Sequence, residues 1–207
     1  MKRLLLYTTL LLISVNMLAQ KGIGLGLKAG INFANVTGAS SISPSGKSGF
    51  HAGIFLSPAS KKILGFRTEL IYSEQGYDFK KGTTNGTVDL KYLMLPQMTT
   101  INITKYVQLQ LGAQISFLLN ASADSTATNG MAGPYSKVLD YYNKMDYGFA
   151  AGAEIHPFKG MLIGARYNIS LNNLYKDPGT GNPSFVPSTS NIDFKNNLVQ
   201  VFAGWRF

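Results

Sequence analysis

The chain has 207 residues, with 19 Lys or Arg, 10 Asp or Glu and no Cys. The absence of Cys excludes disulfides, thiol chemistry and thiolate metal sites. A net charge of +9 could suggest nucleic-acid binding, but the basic residues are spread singly along the chain. We therefore predict no nucleic-acid partner and expect anionic lipid headgroups to be the nearer one.

The N-terminal segment has the features of an export signal. The short basic region Met1-Lys2-Arg3 precedes an apolar run from Leu4 to Val15, and Ala19 lies where cleavage is expected. This predicts a cleaved signal peptide over residues 1–19 and one exported domain over residues 20–207. No later window reaches the ~18–20 apolar residues of a membrane helix, so any membrane insertion must use a closed β-barrel.

Apolar and polar residues alternate with period two in eight segments, which is the pattern of strands with one polar face. The clearest segment is 107–117, whereas 88–98 is interrupted by Pro96. The pattern predicts an all-β fold, an eight-stranded antiparallel up-and-down transmembrane β-barrel, with a soluble β-sandwich as the alternative. The segments are 25–33, 50–56, 64–72, 88–98, 107–117, 147–155, 163–169 and 199–207.

The connections between these segments alternate between short and long, as they do in outer-membrane barrels with short periplasmic turns and long extracellular loops. A sandwich has no reason to alternate in this way, so the pattern favours location in the outer membrane. The short connections lie near residues 58–63, 102–106 and 156–160, and the long ones cover residues 36–47, 76–87, 120–144 and 171–195.

Aromatic residues fall near the predicted strand ends, as in the interfacial girdles of membrane barrels. The tyrosines of the segment 135–142 are expected at the outer headgroup level or packed on the barrel rim, and binding of a partner or glycan is the alternative. The outer girdle is predicted to contain Phe33, Phe50, Tyr72, Tyr77 and Tyr147, and the inner girdle Tyr106, Trp205 and Phe207.

Strand parity turns a set of charged side chains toward the lumen. An eight-stranded barrel is only wide enough for its own side chains, and charges away from water need partners. We predict a network of ion pairs that plugs the barrel, and a narrow polar pathway or gate is the alternative. The predicted lumenal network consists of Lys28, Arg67, Glu69, Lys91, Asp146, Glu154, Arg166 and Arg206.

One combination of side chains would fit a hydrolase. Strand pairing is expected to place His51 opposite Glu69, with Ser73 on the same face, which is a set of nucleophile, base and acid. All three are predicted to face inward, away from any lipid substrate, so we predict no enzyme and no cofactor. His156 has no second imidazole nearby, so we predict no metal site either.

Five short motifs occur in order along the chain. They are Lys28-Ala29-Gly30-Ile31-Asn32, Leu90 to Pro96, Asp146-Tyr147-Gly148 with Gly152-Ala153-Glu154, Arg166-Tyr167-Asn168, and Gly204-Trp205-Arg206-Phe207. With these motifs the chain resembles the PorT-like outer-membrane β-barrel family of Bacteroidetes-type bacteria. The resemblance implies an eight-stranded barrel whose Trp205 and Phe207 form the signal read by the barrel-assembly machinery.

The resemblance implies no chemistry, although some relatives are linked to a secretion apparatus. We therefore predict a small integral outer-membrane barrel in contact with outer-membrane lipid, with a structural or interaction role. The first alternative is an accessory component of a secretion or uptake assembly, with a secretion-system or surface partner. The second is a lipid-modifying enzyme.

Overall fold

A computed structural model of the protein describes residues 23–37, 43–58, 63–81, 84–126, 133–135, 139, 142–176 and 194–207. The predicted signal peptide lies outside these residues. Among the described residues, none belongs to a helix with the length and apolar character needed to cross a membrane.

Eight long antiparallel strands form a closed ring. Each strand pairs with its neighbours in the chain, and β1 pairs with β9 to close the ring. The three-residue strand β6 is added beside the end of β5. The predicted eight-stranded antiparallel barrel is therefore confirmed. The strands are β1 (Ile23–Thr37), β2 (Ser43–Pro58), β3 (Leu64–Lys81), β4 (Thr84–Asn102), β5 (Val107–Thr126), β6 (Gly133–Tyr135), β7 (Met145–Ile155), β8 (Met161–Ser170) and β9 (Lys195–Arg206).

The period-two pattern explains which side chains face outward. Large apolar residues such as Ile31, Leu111 and Phe149 are exposed on the outer wall, where lipid can cover them. In the periplasmic half most inward positions carry polar or small residues, and at Gly112 a side chain would not fit. A Cβ there would lie 2.0 Å from the carbonyl oxygen of Gln97 on the neighbouring strand.

The short connections lie where the sequence predicts them, between β2 and β3, β4 and β5, and β7 and β8. We call this end of the barrel the periplasmic end and the opposite one the extracellular end. Two predicted long loops are wrong. In the β1–β2 hairpin, β1 continues to Thr37 and β2 begins at Ser43, so the loop between them is shorter than predicted. In the β3–β4 hairpin, β3 continues to Lys81, which pairs with Thr84 at the start of β4.

The extracellular parts of these hairpins stay paired because their inward positions remain apolar. Tyr77 and Phe79 on β3, and Val88 and Leu90 on β4, are buried inside the barrel. The predicted loop over residues 120–144 is also shorter, since β5 continues to Thr126. Of the predicted loop over residues 171–195, residues 177–193 lie outside the described part of the chain.

The structure of β4 accounts for the interrupted alternation of apolar and polar residues over 88–98. Its even-numbered residues face inward, including the apolar Leu90, Tyr92 and Met94. The β3–β4 ladder is interrupted between the pairs Thr68–Gln97 and Ile71–Met94. Pro96 lies in this gap and has no N–H to donate, which accounts for the missing rungs.

The inside of the barrel changes character along its axis. The periplasmic half is filled by charged and amide side chains, and the extracellular half by an apolar cluster that we call the upper core. Residues of the extracellular connections complete the upper core, among them Tyr142 before β7, Leu174 after β8 and Phe194 before β9. The candidate functional site is therefore the lumen, with its two ends.

Candidate functional site: the barrel lumen

Glu69 is the centre of the ionic layer in the periplasmic half. Its carboxylate accepts a hydrogen bond of 2.7 Å from Lys28 Nζ and two from Arg166, of 2.7 and 2.8 Å. The three side chains come from β3, β1 and β8 and are fully buried. One carboxylate thus joins three strands across the lumen.

Glu154 is the second carboxylate of this layer. Arg67 binds it with two parallel hydrogen bonds of 2.8 and 2.6 Å. Gln110 donates to Glu154 at 2.6 Å and accepts a hydrogen bond from Arg166, so it links the two carboxylate centres. Bidentate Arg–carboxylate pairs are among the strongest and most directional polar contacts in proteins.

Two aromatic rings complete the packing around the cations. Lys28 Nζ lies 4.3 Å from the centroid of the Phe202 ring, and the Arg67 guanidinium lies 4.6 Å from that of Phe55. Both rings face inward and are buried. Such cation–π contacts strengthen when they are shielded from water, so the rings both fill space and stabilise charge.

Asn32 organises an amide layer above the charges. Its amide nitrogen donates to Ser73 Oγ at 2.9 Å, and its oxygen lies 2.8 Å from His51 Nδ1 and accepts from Gln200 at 3.2 Å. The predicted register of His51 is wrong, since it pairs with Ser73 and Glu69 pairs with Phe55. The ring nitrogen of His51 contacts Asn32 instead of a carboxylate.

Three tyrosine hydroxyls meet in the upper core. Tyr77 on β3 contacts the hydroxyls of Tyr142, at 2.9 Å, and Tyr175, and its ring packs edge-on against Phe194. Tyr77 was predicted in the outer girdle and Tyr142 at the rim or headgroup level, and both positions are wrong because the two side chains are buried inside. Burial raises the pKa of the Tyr142 hydroxyl well above its usual range, so it stays protonated.

The other girdle residues are placed on the outer wall. Phe33 and Tyr147 are exposed near the extracellular ends of their strands, whereas Phe50 is exposed at the middle of β2 and Tyr72 is half-buried at the middle of β3. Tyr106, Trp205 and Phe207 are exposed at the periplasmic end. The remaining tyrosines of the segment 135–142 have no described side chains.

Three residues of the predicted network stand apart from these ion pairs. The predicted lumenal position of Lys91 is wrong. Its side chain lies on the outer wall, 42% exposed, with Nζ 3.5 Å from the carboxylate of Glu74. It faces outward because β4 turns its even-numbered residues inward. Asp146 faces the lumen further up and accepts from Ser170 Oγ at 2.6 Å. Arg206 lies at the periplasmic mouth, outside any ion pair of the described residues.

The position of Lys91 gives a simple test. Exposed ion pairs contribute between about 0 and 1 kcal/mol, so Lys91→Ala should lower the free energy of unfolding by less than ~1 kcal/mol. Urea unfolding of the purified protein in detergent micelles measures this change. A loss of ~3 kcal/mol or more would instead indicate that Lys91 is buried among the lumenal charges.

Sequence reasoning missed the neutral partners of the charges. Gln108 and Gln110 on β5, which bind Arg67 and Glu154, carry no signal beyond their inward parity. Parity alone would have placed Phe55 and Phe202 inward, although both are apolar. A group of His, Asp or Glu suited to a metal ion is absent from the described residues.

Comparison with known proteins identifies this architecture. The family model of the outer membrane protein beta-barrel domain matches residues 18–176. No curated protein matches the chain. The fold is similar to that of Ail, the attachment invasion locus protein of Yersinia pestis, with 18% identity, a TM-score of 0.51, and coverage of 90% of this chain and 99% of Ail.

A second solved structure with a similar fold is Neisserial surface protein A. Its identity is 13% and its TM-score 0.48, over 88% of this chain and 97% of that protein. At 18% identity, the likeness to Ail speaks for the fold alone. The family match covers most of the chain, and a closed ring of strands with an apolar outer wall accompanies it. The protein therefore belongs to the outer membrane protein beta-barrel domain family and is located in the outer membrane.

Proposed function

We propose that this outer-membrane barrel is closed to ions and solutes and acts as a structural or interaction protein through its extracellular end. The observation that carries the proposal is the ionic layer around Glu69 and Glu154. Five charged side chains, from β1, β3, β7 and β8, are buried together and joined by direct ion pairs across the lumen. The two carboxylates are Glu69 and Glu154, and the cations are Lys28, Arg67 and Arg166.

The upper core supports closure at a second level. Above the amide layer, Tyr77, Tyr92, Tyr142 and Phe194 fill the same cross-section with aromatic rings. An ion moving along the axis would have to part the ion pairs and then cross an apolar layer. Separating buried ion pairs is costly because each charge loses its partner without gaining water. The two layers therefore act as barriers of different chemistry.

Single-channel recording in planar lipid bilayers tests closure. We expect no steady conductance from the purified folded protein. A porin purified and inserted in the same way serves as the positive control and should show regular steps of conductance. Membrane insertion is checked separately by reconstituting the same protein into lipid vesicles, recovering it, and showing the heat-dependent gel mobility of a folded barrel. A large and steady conductance from unmodified protein would contradict the proposal.

The outer wall indicates where a partner would bind. Toward the extracellular end, the wall of β2, β3 and β4 carries two cross-strand ion pairs, Lys47 with Asp89 and Lys91 with Glu74. Charged pairs on the outer face are unsuited to the hydrocarbon layer, so this part of the wall stands above it. It offers a polar, paired-strand surface to other molecules, which supports an interaction role.

We propose that the chain is PorT-like, on the motifs around Lys28, Arg166 and Trp205, and that Trp205 and Phe207 guide it to the barrel-assembly machinery during insertion. An accessory role in a secretion or uptake assembly would follow from that resemblance. Co-purification of a stable multi-protein complex from outer membranes would support it, and a barrel that always purifies alone would speak against it.

We propose no catalytic role for His51. Ser73 Oγ accepts hydrogen bonds from Asn32 and Gln75, and His51 contacts Asn32, so neither side chain is arranged as a nucleophile with its base. Both lie between the ionic layer and the upper core. This environment favours a role in filling and fixing the lumen.

A further inference from the structure

We propose that the periplasmic mouth of the barrel is a binding site for a phosphate group. A cavity of ≈ 380 Å³ lies there, which we call the vestibule. Arg206, Lys105 and His156 line it together with hydroxyl and amide side chains. This inference is independent of whether the lumen above is closed, because the vestibule lies below the ionic layer.

The ionic layer next to the vestibule has more cations than anions. Lys28, Arg67 and Arg166 share only two carboxylates, Glu69 and Glu154. Both carboxylates already accept several hydrogen bonds from their partners. Buried positive charge without a counter-charge is unfavourable, so an anion near this layer would stabilise it.

Arg206 adds another positive charge at the vestibule. Its side chain is half-buried beside Gly24, where a Cβ would lie 2.4 Å from Nε. The guanidinium makes no ion pair or hydrogen bond with any side chain in the described part of the chain. The nearby charges are Arg67 and Glu154. Glu154 is already occupied by Arg67, Gln110 and His156, whose Nε2 lies 3.1 Å away.

A guanidinium with free N–H groups is suited to a tetrahedral oxyanion. Its planar fork binds two phosphate oxygens at once, and Arg is favoured over Lys where such bidentate recognition is needed. Lys105 in the link between β4 and β5 supplies a second cation, and it is exposed and held over the Tyr106 ring at 4.8 Å. The positive charges of Arg206 and Lys105 therefore favour an anionic ligand over a neutral one.

The vestibule also opens toward the outer wall. A neighbouring cavity of ≈ 290 Å³ shares Arg206, Lys105 and His156 and is bordered by Tyr106 and Phe158. Both of these rings are exposed at the periplasmic end, and exposed aromatic rings at the end of a membrane barrel are suited to the interface between lipid and water. A phosphate could thus arrive as a free ion from the periplasm or as the headgroup of an inner-leaflet lipid.

Binding measurements on the full-length folded protein in a non-ionic, phosphate-free detergent test the site. One arm titrates inorganic phosphate, and the other titrates short-chain phosphatidylglycerol with zwitterionic, net-neutral phosphatidylcholine as the comparison, both by isothermal titration calorimetry. The variants are Arg206→Gln and Lys105→Gln. The matched control is Lys176→Gln, which removes one exposed positive charge at the extracellular end.

We expect one site per barrel, weakened at least ~10-fold by each vestibule variant and unchanged in the control. Binding of inorganic phosphate would identify a free-ion site, and binding of phosphatidylglycerol alone a lipid site. If neither probe binds, or if Lys105→Gln binds like Lys176→Gln, the proposal is overturned. Should Arg206→Gln fail to fold, Lys105→Gln decides, since it lies in an exposed link.

Discussion

Replacing Glu69 with Ala should lower the free energy of unfolding by about 3–5 kcal/mol, the typical cost of removing one partner from a buried ion pair. The Glu69 carboxylate binds both Lys28 and Arg166 inside the barrel. Its loss would leave two buried cations next to Arg67, with Glu154 as the remaining carboxylate of the layer. The variant therefore loses three hydrogen bonds and gains mutual repulsion.

Urea unfolding in detergent micelles measures the effect, with the fraction of folded barrel read from its gel mobility before heating. Asp78→Ala is the matched control, because Asp78 is also a carboxylate on β3 but is exposed, and among the described residues it accepts a hydrogen bond from Thr87 Oγ1 alone. We expect a change below ~1 kcal/mol for the control. Equal effects of the two substitutions would show that the ionic layer does not stabilise the barrel.

Strand positions and the closed ring could be predicted from sequence because period-two alternation records the contrast between lipid and lumen. That contrast is strongest in segments such as 107–117, where apolar residues alternate with Gln, Gly and Ser. Five of the eight predicted lumenal charges are joined by ion pairs across strands that are far apart in sequence. Parity carries this information without any knowledge of register.

The prediction failed where the lumen itself is apolar. Parity on β4 assumed that Lys91 faces inward because polar residues should, yet Tyr92 and Met94 occupy the inward positions. Tyr77 was assigned to the outer girdle for the same reason. Both errors come from treating the interior as one polar medium, whereas the extracellular half is a hydrophobic core enclosed by the hairpins and by Tyr142 and Tyr175.

The register of His51 could not be derived from sequence for a different reason. From Leu56–Thr68 to His51–Ser73 the β2–β3 ladder is continuous, and its pairs are offset by four residues from a count centred on Ser60. A count outward from the turn near Ser60 gives the wrong partner when the length of that turn is unknown, and a small change in register moves every cross-strand pair. The sequence therefore predicted that the side chains of His51, Glu69 and Ser73 face the lumen, but it did not predict the distances between them.

The upper core makes a large effect expected at Tyr77. Tyr77→Ala removes a ring that is 1% exposed and leaves the hydroxyls of Tyr142 and Tyr175 without their third member. Truncation of a buried aromatic side chain to Ala costs about 3–5 kcal/mol, since it combines lost burial with a cavity. Tyr77→Phe keeps the ring and should cost about 1 kcal/mol, the net contribution of a typical hydrogen bond.

The matched control for Tyr77 is Tyr147→Ala, because Tyr147 is 47% exposed on the outer wall near the same end. Urea unfolding should separate the two Ala variants by ~2 kcal/mol or more, with Tyr77→Phe between them. Truncating a tyrosine on the outer wall leaves no cavity inside the barrel. Equal losses of unfolding free energy at positions 77 and 147 would therefore show that Tyr77 lies on the outer wall. A large difference places its ring in the layer that closes the barrel from outside.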